Sequence, residues 1–199
     1  MPLHSDPEAQ DAIGRLFSYA DCHLTSLGQS FEQASIRWAL DHFLMTHVAA
    51  VQNLMAAAGT NPAGGKLLNA PSLDTLKAVP DIAPVLWAWE ARNSVAHRYL
   101  EFLSGALFSG ALGGAPIGAL AIGGSDTPFL HAVLDEKGQS IAAPTQFASN
   151  PFGLAVTVLD FWKATYAYVL ANPQPGDRYK FTDLWANYKN APVAKSQQV

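Results

Sequence analysis

Only Gly28-Gln29-Ser30 separates two long stretches that carry apolar residues at helical intervals, and so short a joint leaves the chain few ways to fold. The first stretch follows Ser5-Asp6-Pro7-Glu8, which combines capping-box spacing with a proline just inside the start. Ile13, Leu16, Phe17, Ala20 and Leu24 then recur on one face, and Gly28 supplies a stop. The second stretch opens at once on Ser30-Phe31-Glu32-Gln33, again with capping-box spacing. It places Ile36, Leu40, Phe43, His47, Val51 and Leu54 on one face and closes at Gly59. Two long helices so joined form an antiparallel hairpin.

The rest of the chain extends this to an all-α bundle with four long helices, at about 6–27, 31–58, 84–104 and 151–171. Residues 1–4 read as loose. Residues 59–83, rich in Gly, Pro, Asn and Ala, read as a loop with one short helix at Ser72–Ala78. Pro84–Leu103 is the third long helix, with Leu86, Trp89, Ala96, Leu100 and Leu103 as its stripe. A Gly-rich irregular insertion at 105–125 follows it. Phe129–Leu134 and Gln139–Ala142 flank Asp135-Glu136-Lys137-Gly138 as a small β-hairpin. Asn150-Pro151 caps a fourth long helix, apolar nearly all round except for Asp160 and Lys163, which places it at the centre of the bundle or in an oligomer contact. Asp183–Tyr188 is a last short helix. The expected organisation is a single domain over 5–190 with a disordered tail at 191–199.

Composition narrows the function classes. Net charge is −4, which argues against a broad, non-specific nucleic-acid binder, though not against a small local basic site. Charged residues make up only 14%, so much of the surface is expected to be buried in a partner or in a self-association contact. The single Cys22 excludes an internal disulfide framework and a cysteine-based zinc cluster. With the acidic, polar N-terminus, which is no secretory signal, it fits a reducing, cytoplasmic setting. Phe102–Gly124 is uncharged and long enough for a bilayer. It is dominated by Gly, Ala and Ser, contains Pro116 and has no Lys or Arg anchor on its C-terminal side, so a buried loop is the better reading than a membrane span.

The third helix holds the string with chemistry in it, Arg92-Asn93-Ser94-Val95-Ala96-His97-Arg98-Tyr99. A helix that had only to pack would not set Arg, Asn and His among Trp and Leu, because burying them is costly unless each is satisfied. Helical geometry puts Asn93 and His97 about 40° apart and Arg92 and Tyr99 about 20° apart, whereas Arg92 and His97 diverge by about 140°. One helix therefore converges Arg92 and His97 poorly; either the long Arg92 side chain swings, or two copies meet across a two-fold axis and supply Arg from one and His from the other.

Arg-Asn-x-x-x-His on the third long helix of a helical bundle resembles the motif of HEPN domains (higher eukaryotes and prokaryotes nucleotide-binding). The extended pattern Arg-x-x-x-x-His-x-Tyr, met by Arg92, His97 and Tyr99, is similar to HEPN toxins encoded beside a minimal nucleotidyltransferase antitoxin. The resemblance implies a homodimeric helical bundle with the motif at the dimer interface. It implies a metal-independent endoribonuclease of toxin or anti-phage defence character, with Arg92 and His97 catalytic and Asn93 as the polar residue beside the Arg. It implies RNA as substrate, no cofactor, and a nucleotidyltransferase or other antitoxin as partner, with Tyr99 as the target of inactivating nucleotide transfer. The Gly-rich insertion, the hairpin and the acidic charge depart from a minimal HEPN domain.

Those residue types suit the chemistry on their own account. Metal-free RNA cleavage needs a group to take the 2′-hydroxyl proton and a cation for the charge that builds on phosphorus. His97 titrates near neutrality and suits the first task; Arg92, always charged and forked, suits the second. Asn93 can orient His97 or touch the phosphate, and Arg98 can hold a flanking phosphate. The contrasting reading is a silent HEPN-like binding or assembly module, with Arg92 paired to a carboxylate such as Glu90 and the patch serving only an interface. A membrane-associated protein using Phe102–Gly124 is a third. Elsewhere, Asp41, His42 and His47 with His23 have poor spacing for a metal, and His47 reads as a satisfied core histidine. Gly118–Ser125 imitates a phosphate loop but has Gly124 where the lysine is needed. Trp87, Trp89, Trp162 and Trp185 read as core or interface rather than base-stacking platforms.

Overall fold

The computed structural model describes residues 3–30, 33–93, 103–104, 129–135, 137–173 and 177–191. Among these, six α-helices dominate: α1 (Pro7–Gln29), α2 (Gln33–Ala58), α3 (Leu73–Ala78), α4 (Ala83–Asn93), α5 (Pro151–Ala171) and α6 (Phe181–Asn190). Four two-residue strands make two small antiparallel ladders, β1 (Leu103–Ser104) with β2 (Phe129–Leu130), and β3 (Val133–Leu134) with β4 (Ser140–Ile141).

The α1–α2 hairpin forms as its short joint requires and is the most extensive helix pairing in the molecule. Its details differ from the sequence reading. The N-cap of α1 is Asp6, not Ser5: the Asp6 carboxylate accepts the Ala9 N–H at 3.0 Å, while Ser5 belongs to a 3₁₀ turn over Leu3–Ser5. Residues 3 and 4 are not loose, because that turn buries Leu3 against the core. Gly28 does not stop α1, which runs on to Gln29. It instead allows close approach: a Cβ there would lie 2.8 Å from the Phe152 ring of α5. Gly59 does end α2, at φ +87°. Ser72 caps α3 with a reciprocal capping box through Thr75.

Helix α5 lies at the centre, as its all-round apolar character requires. Asn150 caps it by accepting the Gly153 N–H at 2.8 Å, and it packs against α1, α2, α4 and α6. Leu154, Val158, Phe161 and Trp162 are fully buried. Lys163 donates to both carboxylate oxygens of Asp21 at 2.6 Å and ties α5 to α1. Among the described residues α5 is the helix long and apolar enough to cross a membrane, with a mean hydropathy of 1.2. It packs against four helices, and 44% of that apolar window is buried within the protein.

The third helix needs a correction. It is described over Ala83–Asn93, and it does not extend to residue 104. Leu103 and Ser104 are extended, in register with Leu130 and Phe129, so their backbone bonds run across a ladder. Leu130 anchors that ladder, since it is buried and donates its N–H to Ala148 at 2.8 Å. The expected hairpin is present as β3–β4, with Gly138 at φ +76° in its turn. Residues 105–128, the Gly-rich insertion, and 192–199, the expected tail, lie outside the described residues.

The shifted cap gives a direct test. Asp6→Ala is expected to lower unfolding free energy by about 1 kcal/mol, whereas Ser5→Ala changes it by only a few tenths. Urea unfolding of the two variants checks this; equal losses would contradict the cap assignment.

Candidate functional site

Every residue of α4 from Pro84 to Ala91 is buried. Pro84 in the first turn forgoes no intrahelical bond, and the Trp87 indole N–H donates to the His131 carbonyl at 2.8 Å, fastening the helix to the hairpin region. This helix carries Glu90, Arg92 and Asn93 into the protein. Glu90 is 6% exposed, and Arg92 and Asn93 are half-buried. Arg92 Nη1 donates to Asn93 Oδ1 at 3.2 Å, and Asn93 Nδ2 donates to Glu90 Oε2 at 3.3 Å. The amide of Asn93 thus stands between cation and carboxylate, its oxygen toward Arg92 and its nitrogen toward Glu90. The Arg92–Glu90 pairing expected in the contrasting reading is therefore relayed through Asn93.

His47 lies on α2, which packs against α4, and its ring feels the charge of Arg92. It is fully buried, with its ring stacked 4.9 Å from that of Phe43 at 15° between planes. Its Nδ1 lies 3.1 Å from the Phe43 carbonyl. A carbonyl only accepts, so Nδ1 carries the proton and Nε2 presents a lone pair. Burial, and then the positive charge of Arg92, holds His47 down to about 4 against the support of its backbone hydrogen bonds, so the ring is neutral at pH 7. The expectation of a satisfied core histidine holds for one nitrogen only. His47 Nε2 and Arg92 Nε are both buried and have no hydrogen-bond partner among the described residues.

Of the residues the sequence singled out, Arg92 and Asn93 are brought together; His97, Arg98 and Tyr99 lie outside the described residues. Glu90 is joined to them through Asn93, and His47 of α2 feels the charge of Arg92. The sequence signal for His47 was weak, because a histidine on the apolar stripe of α2 has the same spacing as any core residue. The other histidines sit elsewhere. His23 and His42 face each other across α1 and α2 with ring centroids 5.4 Å apart, and Trp38 lies 4.1 Å from His42. His42 Nδ1 donates to the Trp38 carbonyl at 2.8 Å. Among the described residues no group of three His, Cys, Asp or Glu side chains converges on a metal position. Trp87 and Trp162 are core, as expected, and Trp185 packs its ring 5.5 Å from Phe161. A groove of about 350 Å³ between α5 and α6, lined by Ala164, Tyr168, Asn187 and Asn190 among others, is separate from the Arg92 cluster.

The chain matches no protein-family model, no curated protein and no solved structure.

The buried neutral imidazole makes stability depend on pH. His47 binds its proton near 6.5 when unfolded and near 4 when folded, so its contribution is complete above pH 6.5 and is lost as pH falls toward 4. Asp41 and Asp160, raised mainly by burial, act in the opposite sense. Comparing the protein with His47→Phe isolates the histidine. The variant is expected to lose roughly 3 kcal/mol less between pH 7 and pH 4. Identical pH profiles in urea unfolding would show that His47 is not held neutral.

Proposed function

We propose that this chain is a metal-independent endoribonuclease of HEPN type, acting as a homodimer in toxin or anti-phage defence. One observation carries the reading. The Arg92 guanidinium donates to Asn93, which in turn donates to Glu90, at the last described turn of a helix buried from Pro84 to Ala91, directly before the Ser94-Val95-Ala96-His97 segment. An arginine held in this way suits a charge that develops during reaction, since its donors need no reorganisation when the charge appears.

In this reading His97 takes the proton of a ribose 2′-hydroxyl. The 2′-oxygen attacks the adjacent phosphorus, the bond from phosphorus to the 5′-oxygen breaks, and that oxygen leaves with a proton. The products are a 2′,3′-cyclic phosphate and a 5′-hydroxyl. Arg92 stabilises the negative charge on the phosphoryl oxygens in between. Because Arg92 and His97 diverge on one helix, the second copy supplies the complementary residue.

The same cluster also favours a second reading. Arg92, Asn93 and Glu90 already satisfy one another in part, as a silent assembly module would require. Incubation of the purified protein with mixed RNA in EDTA separates the two. Cleavage is expected, and His97→Ala and Arg92→Ala are each expected to reduce it by about a hundredfold or more. Intact RNA after incubation with folded wild-type protein would leave the assembly reading. Light scattering is expected to give the mass of a dimer at micromolar concentration; a monomer would remove the geometry on which the mechanism depends.

A further inference from the structure

A nuclease has to grip phosphate, yet this chain carries a net charge of −4 and few cations. Most of those cations are already engaged. Arg15, Arg37, Lys77, Lys163 and Lys189 are each paired with an aspartate, and Arg92 donates to Asn93. Lys137 stands where its charge acts on Asp74. Lys66, Arg178 and Lys180 differ from these: all three are exposed, and none has a carboxylate partner among the described residues.

The fold brings these three to one place from distant parts of the sequence. Residues 59–67 close a tight loop. The Leu67 N–H donates to the Gly59 carbonyl at 3.0 Å, and the Gly64 N–H donates to the Asn61 carbonyl at 2.9 Å. Asn61 Oδ1 accepts the Gly65 N–H at 2.8 Å, and Gly64 takes φ +80°. The segment that leads into α6 runs beside this loop, with the Tyr179 N–H donating to the Leu67 carbonyl at 2.9 Å. Leu67, Leu68 and Tyr179 are buried, so Lys66, Arg178 and Lys180 stand on backbone fastened to the core. The Arg178 guanidinium lies against Gly65, the neighbour of Lys66. A Cβ on that glycine would come within 2.8 Å of Arg178 Nη2 and 3.3 Å of Asn61 Oδ1.

We propose that Lys66, Arg178 and Lys180 form a docking site for the phosphate backbone of single-stranded RNA. Three cations with no acid to neutralise them give a local positive patch on an acidic protein, and each phosphate they engage releases bound counterions. Because the backbone beneath them is fixed, little ordering is needed on binding. Contacts to phosphate carry no base information, so the patch holds the strand without selecting its sequence. The choice of RNA as the ligand rests on the nuclease reading; the patch itself does not.

The test uses the full-length protein and a short fluorescent 2′-O-methyl RNA, which has no 2′-hydroxyl to react. Affinity measured by anisotropy is expected to fall about twentyfold between about 50 mM and 200 mM salt, a log–log slope near −2 for three phosphate contacts. Lys66→Ala, Arg178→Ala and Lys180→Ala should each weaken binding and reduce that slope by about 0.7. Lys77→Ala and Lys189→Ala, which remove cations paired with aspartates, should leave it unchanged. Gly65→Ala keeps the net charge but displaces the Arg178 guanidinium, and it should weaken binding with helical circular dichroism intact. No binding by the wild type, wild-type slopes in all three patch variants, or equal losses in Lys77→Ala would overturn the proposal. Displacement of the oligonucleotide by inorganic phosphate at the same phosphate concentration would also overturn it, since the site would then take a single phosphate group. Patch-dependent binding with no cleavage of ordinary RNA would remove the nuclease reading and leave the docking site standing. Cleavage that persists while binding ignores the patch would do the reverse.

Discussion

Burial of eight successive residues of α4, Pro84 to Ala91, is the constraint on which the rest of the bundle depends. A helix covered on all sides needs neighbours on all sides. α2 and α5 pack against it, α3 and the Pro80–Ile82 turn adjoin its start, and β3 covers another flank. The two largest fully buried side chains, Trp87 and Trp162, come from α4 and its neighbour α5. Burying one such aromatic side chain contributes on the order of 2–3 kcal/mol. The helix also has to dispose of an indole N–H in the interior, and the His131 carbonyl accepts it. The hairpin segment that the bundle would otherwise not need is thus coupled to its centre.

That burial dictates the electrostatics at the far end of α4. Glu90 enters the core with the helix, and an isolated carboxylate there would be strongly disfavoured. Glu90 accepts from the Asn93 amide, whose oxygen accepts from Arg92, so both amide atoms are oriented by opposite partners. Complete burial, and then the charge of Arg92, keeps His47 neutral. Carboxylate, amide and guanidinium are thus joined by hydrogen bonds on α4, and the imidazole of α2 feels the guanidinium's charge.

The parts of this arrangement written in local chemistry were legible in the sequence. Capping side chains, glycine stops and 3.6-residue periodicity located α1, α2, α3 and α5 to within a few residues, because those signals are short-ranged. Errors arose where tertiary contact overrides local preference. Ser5 and Asp6 both qualify as caps, and only the burial of Leu3 selects the second. Gly28 looks like a terminator, yet its missing Cβ makes room for Phe152 from a helix more than a hundred residues away. Leu103 fits a helical stripe by spacing, but β2 offers its backbone a partner across the fold. Arg92 and Asn93 were found as polar breaks in an apolar helix. His47 was not linked to them because its neutral state is set by its burial and by the charge of Arg92, which no spacing along α2 encodes.

The energetics of the cluster bear on which of its readings is the more economical. Packing alone is served better by apolar side chains, since replacing a buried polar network with hydrophobic groups of similar volume is often neutral or stabilising. A network kept only for structure would also be expected to close on itself. Among the described residues a donor on Arg92 and an acceptor on His47 have no partner, as is also true of Asp41 Oδ1, Thr165 Oγ1 and the indole N–H groups of Trp162 and Trp185, each at a cost of about 1–3 kcal/mol. Such a cost is typical of sites where groups are held ready for a charge or partner that arrives later. Arg92 is the group in the cluster whose charge cannot be titrated away, and it lies at the boundary between the buried helix and the segment carrying His97. That boundary position is what the proposed phosphate-handling role rests on.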